Sequence, residues 1–151
     1  MGIHACWLVP YTKYTERELA EIAIKNIESV LAKGVHTLRE RVLRFYLDNF
    51  KKGDYTTSFY GKLVGWEECM IDFLPFSIYE SDGKYYEESE QSLGDIVTPY
   101  RSNDEIFIKS MDEFMKFIYE GKFYSDLSNE DIISDVAIWF KDNPEGIIYF
   151  L

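Results

Sequence analysis

Along the chain the spacing of apolar positions changes repeatedly, and each change marks a new element. Residues 3–9 are a short apolar run closed by Pro10, a length that suits a buried strand better than a helix. After it, Leu19, Ile22, Ala23, Ile27, Val30 and Leu31 recur at helical spacing. Thr15-Glu16-Arg17-Glu18 reads as the capping box of this first helix, Tyr14 and Leu19 as its hydrophobic staple, and Gly34 as its stop. A second helix is expected from Thr37. Thr37-Leu38-Arg39-Glu40 repeats the box pattern, and Leu38, Val42, Phe45, Tyr46 and Phe50 form the apolar face. Lys51 and Lys52 suit the negative end of the helix dipole, and Gly53 suits the exit.

From Tyr55 to Glu88 the helical period is lost. Thr56, Thr57, Phe59, Tyr60, Val64, Trp66, Ile71, Phe73, Phe76, Ile78, Tyr79, Tyr85 and Tyr86 are residues that strands favour, punctuated by Gly61, Gly65, Pro75 and Ser81-Asp82-Gly83. The pattern predicts about three antiparallel strands, with Asp82-Gly83 as a hairpin turn between Phe76–Tyr79 and Lys84–Tyr86. Residues 87–103 read as a polar loop that Pro99 keeps from forming a long element. Residues 105–109 read as a short strand. Ser110-Met111-Asp112-Glu113 is a third box, opening a short helix on Phe114, Met115, Phe117 and Ile118 that Gly121 stops. Ser128 is expected to cap a fourth helix, with Leu127 and Ile132 as its staple, and Ile132, Ile133, Val136, Trp139 and Phe140 as its apolar face. Asn143-Pro144 ends that helix, and residues 146–151 read as a last strand that must be paired inside the sheet to be soluble.

The order of elements predicts an α+β fold: one domain over residues 1–151, with a mostly antiparallel sheet and about four helices packed on it. The length supports this, since 151 residues is the size of one ordinary domain. No apolar segment is long enough to span a bilayer, and the start of the chain lacks the basic residues of a signal peptide. Two cysteines do not make a disulfide framework, so a cytoplasmic location with both thiols reduced is expected.

Charge changes the picture more than composition does. With 27 acidic and 16 basic residues the net charge is -11. That argues against direct nucleic-acid binding through phosphates and against anionic membrane surfaces, both of which need clustered Lys and Arg. The charge is also unevenly spread. Residues 1–53 hold nine basic and six acidic residues, whereas residues 54–151 hold seven and twenty-one.

Candidate chemistry is sparse. His4 and Cys6 lie two apart, on one side of a strand, and a Cys–His pair can generate a nucleophilic thiolate. No Gly-rich turn or partner Asn or Asp marks that site, and a buried strand thiol is the favoured reading of Cys6. His36, just before a helix, reads as structural. With two His and two Cys, no zinc site is expected. The stretch from Asp126 to Asp131 superficially resembles a calcium loop but lacks its ligand spacing, central Gly and closing Glu. Glu67 and Glu68, adjacent in an expected strand, would point to opposite faces and could not work as an acid–base pair. Walker, GxGxxG and GxSxG motifs are absent, and no cofactor is expected.

What remains is an acidic, tyrosine-rich surface. Tyr79, Glu80, Asp82, Tyr85, Tyr86, Glu87, Glu88, Glu90 and Asp95 lie on or beside the expected hairpin. Carboxylates set a long-range field and tyrosines offer large contacts at low entropy cost, a combination suited to capturing a basic protein. The expectation is a non-enzymatic acidic binding protein. Its most concrete form is an immunity or inhibitor protein that neutralises a basic toxin such as a nuclease; a protein that mimics nucleic-acid charge is a second form. The alternatives are a small enzyme using His4 and Cys6 or carboxylates of the sheet, and a structural subunit of a larger assembly.

Overall fold

The structure, a computed structural model, describes residues 5–61, 67–94, 106–119 and 130–150. His4, Val64, Gly65, Trp66, Asp95, Pro99, Gly121, Leu127 and Ser128, to which the sequence assigns roles, lie outside the described residues. The fold is α+β. Its described elements run β1 (Ala5–Pro10), α1 (Glu16–Ala32), α2 (Thr37–Lys51), a 3₁₀ turn (Met70–Phe73), β2 (Tyr79–Ser81), β3 (Lys84–Glu88), β4 (Ile106–Ile108), α3 (Met111–Tyr119), α4 (Glu130–Asp142) and β5 (Ile147–Phe150). Contacts group them into two compact units: Met1–Tyr11 with Glu80–Leu151, and Thr12–Tyr79.

The first unit is built on a five-stranded antiparallel sheet of order β2-β3-β1-β5-β4. The strands at the two ends of the chain meet at its centre, with Ala5 opposite Phe150 and Trp7 opposite Ile148. All four residues of β5, Ile147 to Phe150, are buried, and pairing on both edges removes the aggregation hazard of so apolar a strand. Alternation along β1 sends Ala5, Trp7 and Val9 to one face. That face packs with Ile108, Ile148 and Phe150 against Phe114 and Phe117 of α3 and Val136, Trp139 and Phe140 of α4. Each fully buried side chain of this size stabilises by about 1.5–3 kcal/mol before conformational entropy is counted. The other face carries the stacked cross-strand pair Phe107 and Tyr149, 4.6 Å apart.

The second unit is a helical hairpin with an irregular chain laid over it. Thr15 caps α1 through a complete capping box: its hydroxyl accepts from the Glu18 N–H at 3.2 Å, and the Glu18 carboxylate accepts from the Thr15 N–H. The helix ends at Gly34, whose φ of +82° needs a residue without a side chain. For α2 the expected box at Thr37 does not form. Thr37 is the first helical residue and His36 is the cap, its Nδ1 accepting from the Leu38 N–H at 3.3 Å. Glu40 turns away to pair with Arg44 at 2.9 Å instead of reaching back.

Among the described residues, the expected three-stranded cluster between Tyr55 and Glu88 shows the β2–β3 hairpin as its only strands. Phe59 and Phe73 leave the strand register because the helices offer aromatic partners: Phe59 packs on Phe45, and Phe73 on Tyr46 and Phe50, at 5.0–5.9 Å. The hairpin turn itself falls where the sequence places it. Asp82 and Gly83 both have positive φ, +51° and +76°, the type I′ geometry that matches strand twist.

Candidate functional site: the acidic hairpin and its strap

Charge separates along the division into units. Thr12–Tyr79 holds ten basic and ten acidic residues, so the whole net charge of -11 belongs to the first unit, with six basic and seventeen acidic residues. The expected binding residues lie in this unit, except Tyr79 at the boundary, and they differ in exposure.

Glu88 and Glu90 are exposed at the end of β3 and just beyond it. Glu80 is exposed but is used by the turn, its carboxylate accepting from the Gly83 N–H at 2.8 Å. Asp82 is exposed and is hydrogen-bonded to the Lys109 ammonium. That bond, and behind it the positive charge of Lys109, hold the Asp82 carboxyl below its ordinary range, and the same bond raises Lys109. Lys109 follows β4, 27 residues away, and no spacing rule pairs it with Asp82 in sequence.

The tyrosines are less available than expected. Tyr86 is 6% exposed and belongs to the core, so almost none of it lies on the surface. Tyr79 and Tyr85 are half-buried. Strand alternation explains the difference: in β3, Tyr86 sits opposite Pro10 and Glu87 opposite Val9, on opposite faces. Glu87 is therefore half-buried beside Val9, on the helix-covered face. Asp95 lies outside the described residues.

Beyond β3, residues 89–94 pass over two buried tryptophans. The Trp7 carbonyl accepts from the Ser89 N–H at 2.7 Å, and the Trp7 indole N–H donates to the Gly94 carbonyl at 2.9 Å. The Trp139 indole N–H donates to the Gln91 carbonyl at 2.9 Å, and the Asn143 amide donates to Gln91 Oε1 at 3.3 Å. In the sequence Trp139 belongs to the apolar face of the fourth helix and Trp7 to the first apolar run; a buried indole needs an acceptor, but spacing does not say which one.

A cavity of about 420 Å³ opens beside the hairpin, lined by Pro10, Lys84, Tyr85, Tyr86, Lys109 and Glu145 among others. One titratable group in its lining, Lys109, is held protonated by Asp82, the opposite of what a general base requires. Among the described residues no group of three His, Cys, Asp or Glu is placed to hold a metal ion, and no helix is long and apolar enough to cross a membrane.

The thiols behave unequally. Cys6, expected to be buried, is half-buried, on the face of β1 opposite Trp7. Cys69 is exposed as a residue, yet its thiol is pushed up to about 12, first by desolvation and then by the Asp72 carboxylate beside it. It is a poor nucleophile at neutral pH. Glu68, rather than standing with Glu67 in a strand, pairs with Arg39. Comparison with protein-family models, curated proteins and solved structures finds no match.

Proposed function

We propose that the chain is an acidic, non-enzymatic binding protein, in its most concrete form an immunity or inhibitor protein that neutralises a basic toxin such as a nuclease. The observation that carries the reading is the confinement of all the net charge, -11, to one of two compact units. Solvation alone calls for charge spread over a surface. A net charge of this size carried by one unit raises the encounter rate with an oppositely charged protein. A nuclease active site is basic because it binds phosphates, so an acidic surface competes for the same groups. Glu88 and Glu90 form the exposed rim of the binding face.

The test is affinity capture on the immobilised chain, from cells that express it, beside a variant carrying Glu88→Lys and Glu90→Lys. The reading predicts a basic protein held by the natural chain and lost from the variant, whose toxic or nuclease activity falls stoichiometrically when the chain is added. Equal capture by both chains, or a partner whose activity the chain leaves unchanged, overturns it.

A further inference from the structure

The geometry points to residues 89–94 as a latched strap, held shut as one unit by Trp7 and Trp139. Trp7 holds both ends: its carbonyl takes the Ser89 N–H at 2.7 Å and its indole reaches the Gly94 carbonyl at 2.9 Å. Trp139 holds the middle through the Gln91 carbonyl, and Asn143 holds the Gln91 side chain. The two indoles are themselves one assembly, edge to face at 5.1 Å. Trp139 is fixed from behind by Gly146, where an added Cβ would lie 2.4 Å from its ring. Within the strap the bonds are short-range turns, the Gln91 N–H donating to the Ser89 hydroxyl and the Gly94 N–H to the Ser92 hydroxyl, each at 3.1 Å. Residues 90–94 are all exposed, while Trp7 and Trp139 are 2% and 3% exposed.

These facts separate a rigid floor from a covering segment that the floor holds by hydrogen bonds, three donated by its side chains and one accepted by the Trp7 carbonyl. Because the donors sit on two rings in contact, releasing one clamp frees the strap over both. The latch fixes Glu90 before any partner arrives, making Trp7 and Trp139 positioning residues; that role rests on the binding reading above, whereas the latch does not. Holding a contact segment in its bound shape reduces the ordering cost of association.

The experiment follows the indole protons by NMR. A buried indole N–H exchanges with solvent only when its cover opens. Trp139→Phe removes one clamp and leaves both Trp7 contacts in place. The latch predicts that exchange of the Trp7 indole proton rises roughly fivefold, the scale of one neutral hydrogen bond, while amides of β1 and β5 keep their protection. Gln91→Ala, which removes only the Asn143 clamp, moves the Trp7 proton in the same direction. If Trp139→Phe also weakens the strands, Gln91→Ala decides. An unchanged Trp7 proton in a variant with intact strands overturns the latch and leaves the binding reading standing.

Discussion

One guanidinium nitrogen of Arg39 bonds both carboxylate oxygens of Glu68, at 2.7 and 3.0 Å, while the Glu68 backbone is held separately by the Tyr46 hydroxyl. That hydroxyl donates to the Glu68 carbonyl at 2.7 Å and accepts from the N–H groups of Phe59 and Glu68 at 2.7 and 3.1 Å. Burial raises the Tyr46 phenol above its ordinary range, so it stays protonated and able to donate. One buried side chain thus fixes the irregular chain at residues 59 and 68 to α2. Tyr46→Phe is expected to lower stability by about 1–3 kcal/mol, because it leaves both amides without this acceptor. Arg39→Ala is expected to cost less, about 1 kcal/mol or below, since the ion pair is partly exposed. Urea denaturation of the two variants checks the ranking.

Gly146 is needed for want of space and not for its φ. A Cβ there would stand 2.4 and 2.8 Å from two atoms of the Trp139 ring and 3.0 Å from the Asn143 carbonyl. Gly146→Ala should destabilise by about 1–3 kcal/mol through overpacking. Tryptophan fluorescence during denaturation reads both the loss and the displaced indole.

The Asp82–Lys109 pair sets a pH signature. The carboxyl is lowered, so its contribution is present above the unfolded value of about 3.9 and is lost as pH falls through the folded value. The ammonium is raised, so its contribution is present below about 10.4 and is lost as pH rises through the folded value. The stability difference between the natural chain and Asp82→Asn should be flat through neutral pH and vanish at both extremes. It should also be small and shrink with salt, because Asp82 is exposed. Denaturation midpoints across pH, at two salt concentrations, measure it.

Exposure does not make Cys69 reactive. With its thiol near 12, little thiolate exists at pH 8, and alkylation should be far slower than for an ordinary exposed cysteine. Desolvation is the first cause and remains in Asp72→Asn, but the second, the adjacent negative charge, does not. That variant should therefore label faster without reaching the rate of a model thiol. Mass-spectrometric labelling kinetics distinguish Cys69 from Cys6.

Much of the fold was legible because it is written in local chemistry. The capping box at Thr15 and the Asp82-Gly83 turn each follow from a few adjacent residues. Ser110 also caps as read, accepting from the Glu113 N–H at 3.1 Å, although the Glu113 carboxylate returns to the Lys109 N–H instead of closing the box on Ser110. The departures come where distant packing overrides local preference. Phe59 and Phe73 suit strands, but aromatic partners on α2 claim them. His36 displaces Thr37 as a cap because an imidazole nitrogen can accept as well as a hydroxyl can. At the candidate site the acidic character was plain in the sequence. The burial of Tyr86 depended on sheet register, and the strap depended on indoles 87 and 48 residues away from their acceptors.

The central claim is that the acidic unit steers a basic partner onto the rim around Glu88 and Glu90. Its most direct test is the association rate of the captured partner with the natural chain and with the Glu88→Lys, Glu90→Lys variant, each at low and high salt. The account predicts a fast association that slows steeply with salt for the natural chain, a slower one for the variant, and a gap between them that narrows as salt screens charges beyond roughly 8 Å. Association rates that are equal for the two chains and indifferent to salt would contradict it.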